Sequence, residues 1–410
     1  MRILVNMARL LYPTNTGGRI RSSKLLERLR REHEITIACF RQGDETDEQV
    51  ERMRACCARV ETVRWTESPK FSAGFYYELA ANMVSRYPYV VQKYASRQME
   101  QLISKLLDGS KYDLLLCDFL QPSLNVLNSG FRPRVLFQHN VESVIVQRHH
   151  QQASNPAAKL YFYLQWRKLF AYERRAATQF DHCIMVSEED CRTMEELYGA
   201  QHTSGIPTGV DVDYFRPGNG EDTSENGIVF TGAMDWLPNE DAVLWFAKEV
   251  LPRIRSRVNA RLWIVGRHPR DVVKRLKSEE DGIEVTGMVD DVRPYIDRAK
   301  VYVVPLRIGG GTRIKIYEAM AMGKPVVSTR VGAEGLPVVN GENVVLADDA
   351  DTFAKHVADL LEDADARSRI GSAARTYVEE NCAWDVAARR FSEICENVVH
   401  TWREAAKHTQ

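Results

Sequence analysis

The chain has 410 residues, 44% hydrophobic and 27% charged, with a formal net charge of −1. That length exceeds what one hydrophobic core serves, so two domains of about 200 residues each are expected. The near-neutral balance gives no global attraction to nucleic acid, and no nucleic-acid partner is expected. Eight scattered cysteines without a Cys-x-x-Cys pair read as reduced thiols, not as a zinc site or a disulfide framework. The opening MRILVNMARLL is interrupted by Asn6 and Arg9, unlike a signal peptide, and no run nears the ~18 apolar residues of a spanning helix. The expectation is a cytoplasmic protein able to sit at the inner face of a membrane.

In chain order, residues 2–6 (RILVN) predict a buried strand, followed by a polar loop over 12–18 and a helix over about 19–31. Apolar runs at 35–40, 60–65, 113–119, 134–140 and 182–187 predict further strands, with helical stretches between most of them. Residues 206–226 hold Pro207, Pro217 and the polar run GNGEDTSENG, which marks a boundary. A second series of strands is predicted at 227–232, 261–266, 283–287, 301–306, 325–329 and 343–348, with helices over 241–257 and 313–322. From about 365 onward the chain reads as helical and amphipathic. The predicted organisation is 1–205, 206–385 and a C-terminal helix over 386–410. The fold class is α/β, two Rossmann-like domains facing each other across a cleft, with ligands at the carboxyl ends of the strands.

The glycine run Gly309-Gly310-Gly311 follows a predicted strand and precedes a predicted helix, where backbone N–H groups and the helix dipole favour an anion. Thr312 follows it, Arg313 and Lys315 add cations beside the phosphate position, and the Glu318 carboxylate can accept from ribose hydroxyls. The whole segment, GGGTRIKIYEAMAMGKPVVST, resembles the signature of family 4 glycosyltransferases. GVDVDYFRP (209–217) looks like that family's linker. GRHP (266–269, with Arg267) and VTGMVDDVRPYI (285–296, with Val289) look like the region supporting the nucleotide base. GAMDWLPNEDAV (232–243), opened by Gly232, matches a subgroup concerned with exported polysaccharides, and 372–391 resembles the helix that crosses back to the first domain.

The resemblance implies the GT-B fold and a retaining, metal-independent transfer of a sugar from a UDP- or GDP-linked donor. The implied acceptor is a glycan or lipid-linked molecule, in exopolysaccharide or cell-surface glycan synthesis. It places Gly17 and Gly18, which close the first loop, against donor phosphate or acceptor, and His139 in the active site with Arg313 and Lys315. Two positions depart from the pattern. Gly310 stands where a sugar-contacting Glu is usual, and 233–239 lacks the family's diphosphate-binding Arg and Lys. Two alternatives therefore stay open: a sugar-nucleotide epimerase or hydrolase on the same fold, and a nucleotide-binding protein without turnover.

Asp211-Val212-Asp213 spells a DxD metal motif but lies in the linker pattern, so no metal and no other cofactor is expected. His149-His150 have no second ligand at metal spacing. The basic helix over 19–31 and the aromatic, cationic stretch 161–175 suggest peripheral contact with anionic membrane. The competing reading has Leu25, Leu26 and Leu29 facing the core.

Overall fold

The computed structural model describes residues 1–410 apart from 15, 70, 110–111, 154, 219–224, 309–313 and 408–410. It divides into two compact units: Met1–Pro207 together with Ala387–Gln410, and Thr208–Val386.

In the first unit the described strands are β1 (Arg2–Met7), β2 (Glu34–Gln42), β3 (Arg59–Trp65), β4 (Leu114–Asp118), β5 (Arg134–Phe137), β6 (His182–Met185) and β7 (Thr203–Gly205). They form one parallel sheet in the order 3-2-1-4-5-6-7. The central strands β1, β4 and β5 are buried along nearly their whole length, which is why they read as unbroken apolar runs. Strand β7 (TSG) has no apolar residue and is absent from the predicted set.

Helix α1 (Gly17–Leu29) lays Leu25, Leu26 and Leu29 into the core. Its apolar face is therefore not free for lipid, which corrects the membrane role suggested for this helix. The helix Pro156–Gln179 likewise buries Leu169, Tyr172, Ala176 and Ala177, and its Lys168 donates to the carbonyl of Asn82 at 2.6 Å.

The second unit holds β8 (Asn226–Thr231), β9 (Ala260–Val265), β10 (Ile283–Gly287), β11 (Val301–Val304), β12 (Val326–Ser328) and β13 (Val345–Leu346). Its sheet is also parallel, in the order 10-9-8-11-12-13, so both sheets show the Rossmann order 3-2-1-4-5-6. The helix predicted over 241–257 runs instead as Leu237–Trp245, a π turn at Phe246–Val250, and Leu251–Arg255. Pro252 has no N–H to continue an α ladder, and the widened turn just before it absorbs the defect.

The C-terminal region is two helices, Ala364–Asn381 and Trp384–Lys407. Between them Val210 of the linker donates to the Cys382 carbonyl at 2.8 Å, and Trp384 donates back to the Val210 carbonyl at 3.3 Å. A Cβ on Gly209 would fall inside the Trp384 indole, so glycine is required there by space. Past Val386 the last helix packs on the first unit. Phe391 meets Phe137 edge-on at 5.1 Å, and His33 Nε2 bonds Ser392 Oγ at 2.7 Å.

Gly209→Ala forces the indole off this clasp. The expected loss is about 1–3 kcal/mol, the usual cost of overpacking, read as a lowered urea midpoint. An unchanged midpoint would show that the linker can move aside without cost.

Candidate active site

At the carboxyl end of the second sheet the chain turns at Gly232, whose N–H donates to the Val265 carbonyl at 2.9 Å. Met234 N–H donates to the Arg267 carbonyl at 2.9 Å, so the segments after β8 and β9 run side by side. A Cβ on Gly266 would overlap the Gly232 carbonyl, and one on Gly232 would sit 2.7 Å from both Asn239 Nδ2 and Lys315 Nζ. Backbone is thus brought close to two polar side chains, with glycine as the residue that permits it.

Lys315 lies at the start of the helix Ile314–Ala321. Its Nζ donates to Asn239 Oδ1 at 2.9 Å and stands 4.2 Å from the centre of the Phe230 ring. It also lies within electrostatic reach of the Glu318 carboxyl. Glu318 follows three residues later, half-buried. Burial pushes its carboxyl up to about 7, against the pull of Lys315. Asn239 is absent from the residues predicted above. Its signal is an amide in the first turn of the helix that follows a strand-end glycine.

Among the other predicted donor residues, Arg267 is exposed and Val289 is half-buried against the core. Gly309, Gly310, Gly311, Thr312 and Arg313 lie outside the described residues. Asp211 Oδ1 accepts the Tyr214 N–H at 3.0 Å and so closes a turn in the linker.

In the first unit His139 stands two residues past β5, not at the strand end as predicted, and is 3% exposed. Its Nε2 is 3.0 Å from Asp118 Oδ1, while Asp118 Oδ2 accepts from Ser22 Oγ at 2.7 Å. Burial lowers the imidazole below its ordinary value despite this bond, so the ring is neutral at pH 7. With Nε2 donating to Asp118, Nδ1 carries the lone pair, and it is buried without a hydrogen-bond partner. The Phe119 ring stacks on the imidazole at 3.7 Å and 12°, and Phe119 itself has φ +71°, a strained backbone for a bulky residue. Gly18 abuts the tip of that ring, where a Cβ would come within 2.5 Å of Phe119 Cζ. Gly17 has open space around it.

Two of the predicted first-unit residues, Gly18 and His139, therefore meet through Phe119. The second-unit residues Gly232 and Lys315 meet around Asn239, with Glu318 within electrostatic reach of Lys315. His149 and His150 contact the helix Pro156–Gln179, His149 by stacking on Phe162 and His150 through the Lys159 carbonyl at 2.9 Å.

Residues 17–214 match the family model described as Glycosyltransferase Family 4, and residues 225–363 match Glycosyl transferases group 1. The chain belongs to the family 4 glycosyltransferases. One relative is an uncharacterised 44.6 kDa protein of the cps region of Klebsiella pneumoniae, 23% identical over 90% of this chain and 93% of that one. Another is a GDP-mannose-dependent monoacylated alpha-(1-6)-phosphatidylinositol monomannoside mannosyltransferase of Corynebacterium glutamicum. It is 25% identical over 55% of this chain and 64% of its own length, so this chain spans less than two thirds of it. Among solved structures, sucrose-phosphate synthase from Thermosynechococcus elongatus superposes with a TM-score of 0.65 at 17% identity, covering 98% of this chain and 100% of that one. Anabaena HepE, solved in complex with UDP and glucose, gives 0.62 at 15% identity over 97% and 100%. These likenesses establish the fold of this glycosyltransferase, two Rossmann-like domains of the GT-B kind.

Glu318 yields a test of its own. A carboxyl whose folded value lies above its ordinary 4.5 favours the folded state below that pH, and the benefit is lost as pH rises to about 7. Glu318→Gln is neutral throughout. It is expected to match the parent in Tm near pH 4.5, exceed it at pH 8, and lose transfer activity. Equal Tm values at pH 8 would remove the claim that this carboxylate is held at a cost to stability.

Proposed function

We infer that this glycosyltransferase moves a sugar from a UDP- or GDP-linked donor to a glycan or lipid-linked acceptor, with retention of configuration and without a metal. The place of the reaction is exopolysaccharide or cell-surface glycan synthesis on the cytoplasmic side. The observation that carries this reading is the meeting of Gly232, Asn239 and Lys315 at the carboxyl ends of the second sheet, with Glu318 in electrostatic reach of Lys315. The cps-region relative, the GDP-mannose-dependent relative and the UDP-bound neighbour support the donor class and the biological setting.

In this reading the second unit holds the nucleoside diphosphate. Lys315, with Arg313 and Arg267, supplies the positive charge that a metal supplies elsewhere, and Glu318 takes the ribose. The family resemblance assigns Gly309, Gly310, Gly311 and Thr312 to the phosphates and Val289 to the base. The bond from the anomeric carbon to the diphosphate oxygen breaks as negative charge develops on that oxygen, where the ammonium stabilises it. The acceptor hydroxyl attacks from the same face, and its proton passes to the departing phosphate. The first unit presents the acceptor, Gly17 and Gly18 shape its loop, and neutral His139 offers Nδ1 as a hydrogen-bond acceptor to a sugar hydroxyl. Among the described residues no helix is long and apolar enough to cross a membrane. Contact with an anionic membrane falls in this reading to the exposed Leu160 and Tyr163 of the helix Pro156–Gln179.

A thermal-shift panel of nucleotide sugars names the base, because a ligand at 100 times its Kd stabilises by about 2.7 kcal/mol. Transfer is then followed by NMR at the anomeric proton, with and without EDTA. The expected outcome is a retained anomer and full activity in EDTA, with Lys315→Met weakening nucleoside-diphosphate binding by roughly 10- to 100-fold. Donor consumed without acceptor points to the hydrolase or epimerase alternative. Nucleotide bound but never turned over points to a binding protein.

A further inference from the structure

The first unit contains a cavity of about 260 Å³ over the carboxyl ends of β1 and β4. Arg9, Arg19 and Lys93 line it. One carboxylate, Glu67, holds two of these cations, Arg9 at 2.6 Å and Lys93 at 2.8 Å, and Arg9 Nε also donates to Tyr94 Oη at 2.8 Å. Burial alone would raise Glu67, but Lys93 and Arg9 hold it below its ordinary value, so it stays charged. The rings of Trp65 and Tyr94 stack at 4.9 Å, with Arg9 5.4 Å from the first and Lys93 5.1 Å from the second. Both cations are therefore fixed in place.

Their shared counter-charge, Glu67, is not among the residues that line the cavity. Asp118 does line it, but is already engaged by Ser22 and His139. Arg19 enters from the first turn of α1, and its value is lowered by burial and then by the charge of Arg9, as expected of like charges set close together. Thr16, the residue that begins α1, also lines the cavity and makes no side-chain cap, so the positive end of the helix adds to the field. Leu10, Leu11 and Val90 supply an apolar wall. Crowding cations around an apolar pocket costs free energy that a bound anion offsets.

We propose that this cavity receives an anionic group of the acceptor, a phosphate or a carboxylate, while the apolar wall takes the carbon skeleton beside it. The proposal rests on the transferase reading and narrows it: the acceptor is acidic. Two sources share that chemistry, the phosphate of an isoprenoid-linked saccharide and the carboxylate of an acidic sugar.

The test is calorimetry with farnesyl monophosphate, methyl glucuronoside and the neutral methyl glucoside, each with nucleoside diphosphate saturating the donor site. The parent is compared with Arg19→Gln, with Arg19→Gln/Lys93→Gln, and with the charge-keeping Arg19→Lys. Arg19 is half-buried, so the single variant remains informative if the double variant is unstable. At least one anionic probe is expected to bind and the neutral glycoside not to. Affinity should fall roughly 10- to 100-fold in the Gln variants and be restored by Arg19→Lys. Farnesyl phosphate alone identifies the lipid source, and the glucuronoside alone the acidic sugar. The proposal is overturned if no anion binds, if the neutral glycoside binds as well as the anions, or if the Gln variants bind like the parent. Nucleoside-diphosphate affinity is read in the same experiment: its absence from the parent sinks the donor reading, while the anion arm still decides the cavity.

Discussion

Asp118 is the residue on which the mouth of the first sheet depends. It ends β4, is 2% exposed, and spends its oxygens on two other elements, Ser22 of α1 and His139 after β5. A buried carboxylate is tolerated only when its oxygens are satisfied, so these bonds fix the helix, the two strand ends and the imidazole as one assembly. They also choose the tautomer of His139, leaving Nδ1 as the acceptor. Phe119, the next residue, is carried to φ +71° and lies flat on that imidazole. Its strain is offset by the stacking and by the N–H it donates to the Phe137 carbonyl at 2.8 Å. The loop beyond His139 is held from another direction. The buried carboxylate of Glu173 accepts the N–H groups of Glu142 at 2.9 Å and Ser143 at 3.1 Å, and so caps the helix Glu142–Gln152. The helix Pro156–Gln179 thus holds the loop beyond His139 from its inward face.

The second sheet solves the opposite problem. Around His139 the first unit is filled; around Gly232 the second brings bare backbone together beside Lys315 and Asn239. Space at Gly232 and Gly266 is the enabling constraint, because side chains there would collide with Lys315, Asn239 and backbone. Lys315 is steadied by an amide and an aromatic face, and it also feels the Glu318 carboxyl.

What the sequence made legible follows from the same physics. Strands buried on both faces, such as β4 and β9, are unbroken apolar runs and stood out. Strand β7, Thr203–Gly205, is added at the sheet edge by backbone pairing with β6 alone and has no side-chain signature. The break at Cys382–Ala383 was invisible for a related reason. It is set by pairing with Val210, far away in sequence, and by the fit of Trp384 over Gly209, neither of which has a local period. Lys315, Glu318, Gly232 and His139 could be singled out in the sequence because their residue types carry a recognisable chemistry. Asn239, Asp118 and Phe119 were not, since their roles arise from the neighbours that tertiary structure gives them. The cations of the cavity, Arg9, Arg19 and Lys93, come from three separate segments, and no one-dimensional pattern gathers them.

Gly310 gives these arrangements a common sense. In the family pattern a Glu stands there, and its loss removes a negative charge from the stretch that Lys315 and Glu318 share. Burial moves the same way by raising Glu318 to about 7, where its proton is half retained near neutral pH. In the proposed function both changes make the donor region more positive, which suits two phosphates better than a neutral sugar. In the proposed transfer the grip on the sugar then falls to backbone and neutral donors or acceptors. On the proposed function, positive charge for the diphosphate and uncharged groups for the sugar make a division of labour set by the dielectric. Charge is placed where charge develops, and polarity without charge is used where hydroxyl groups must be told apart.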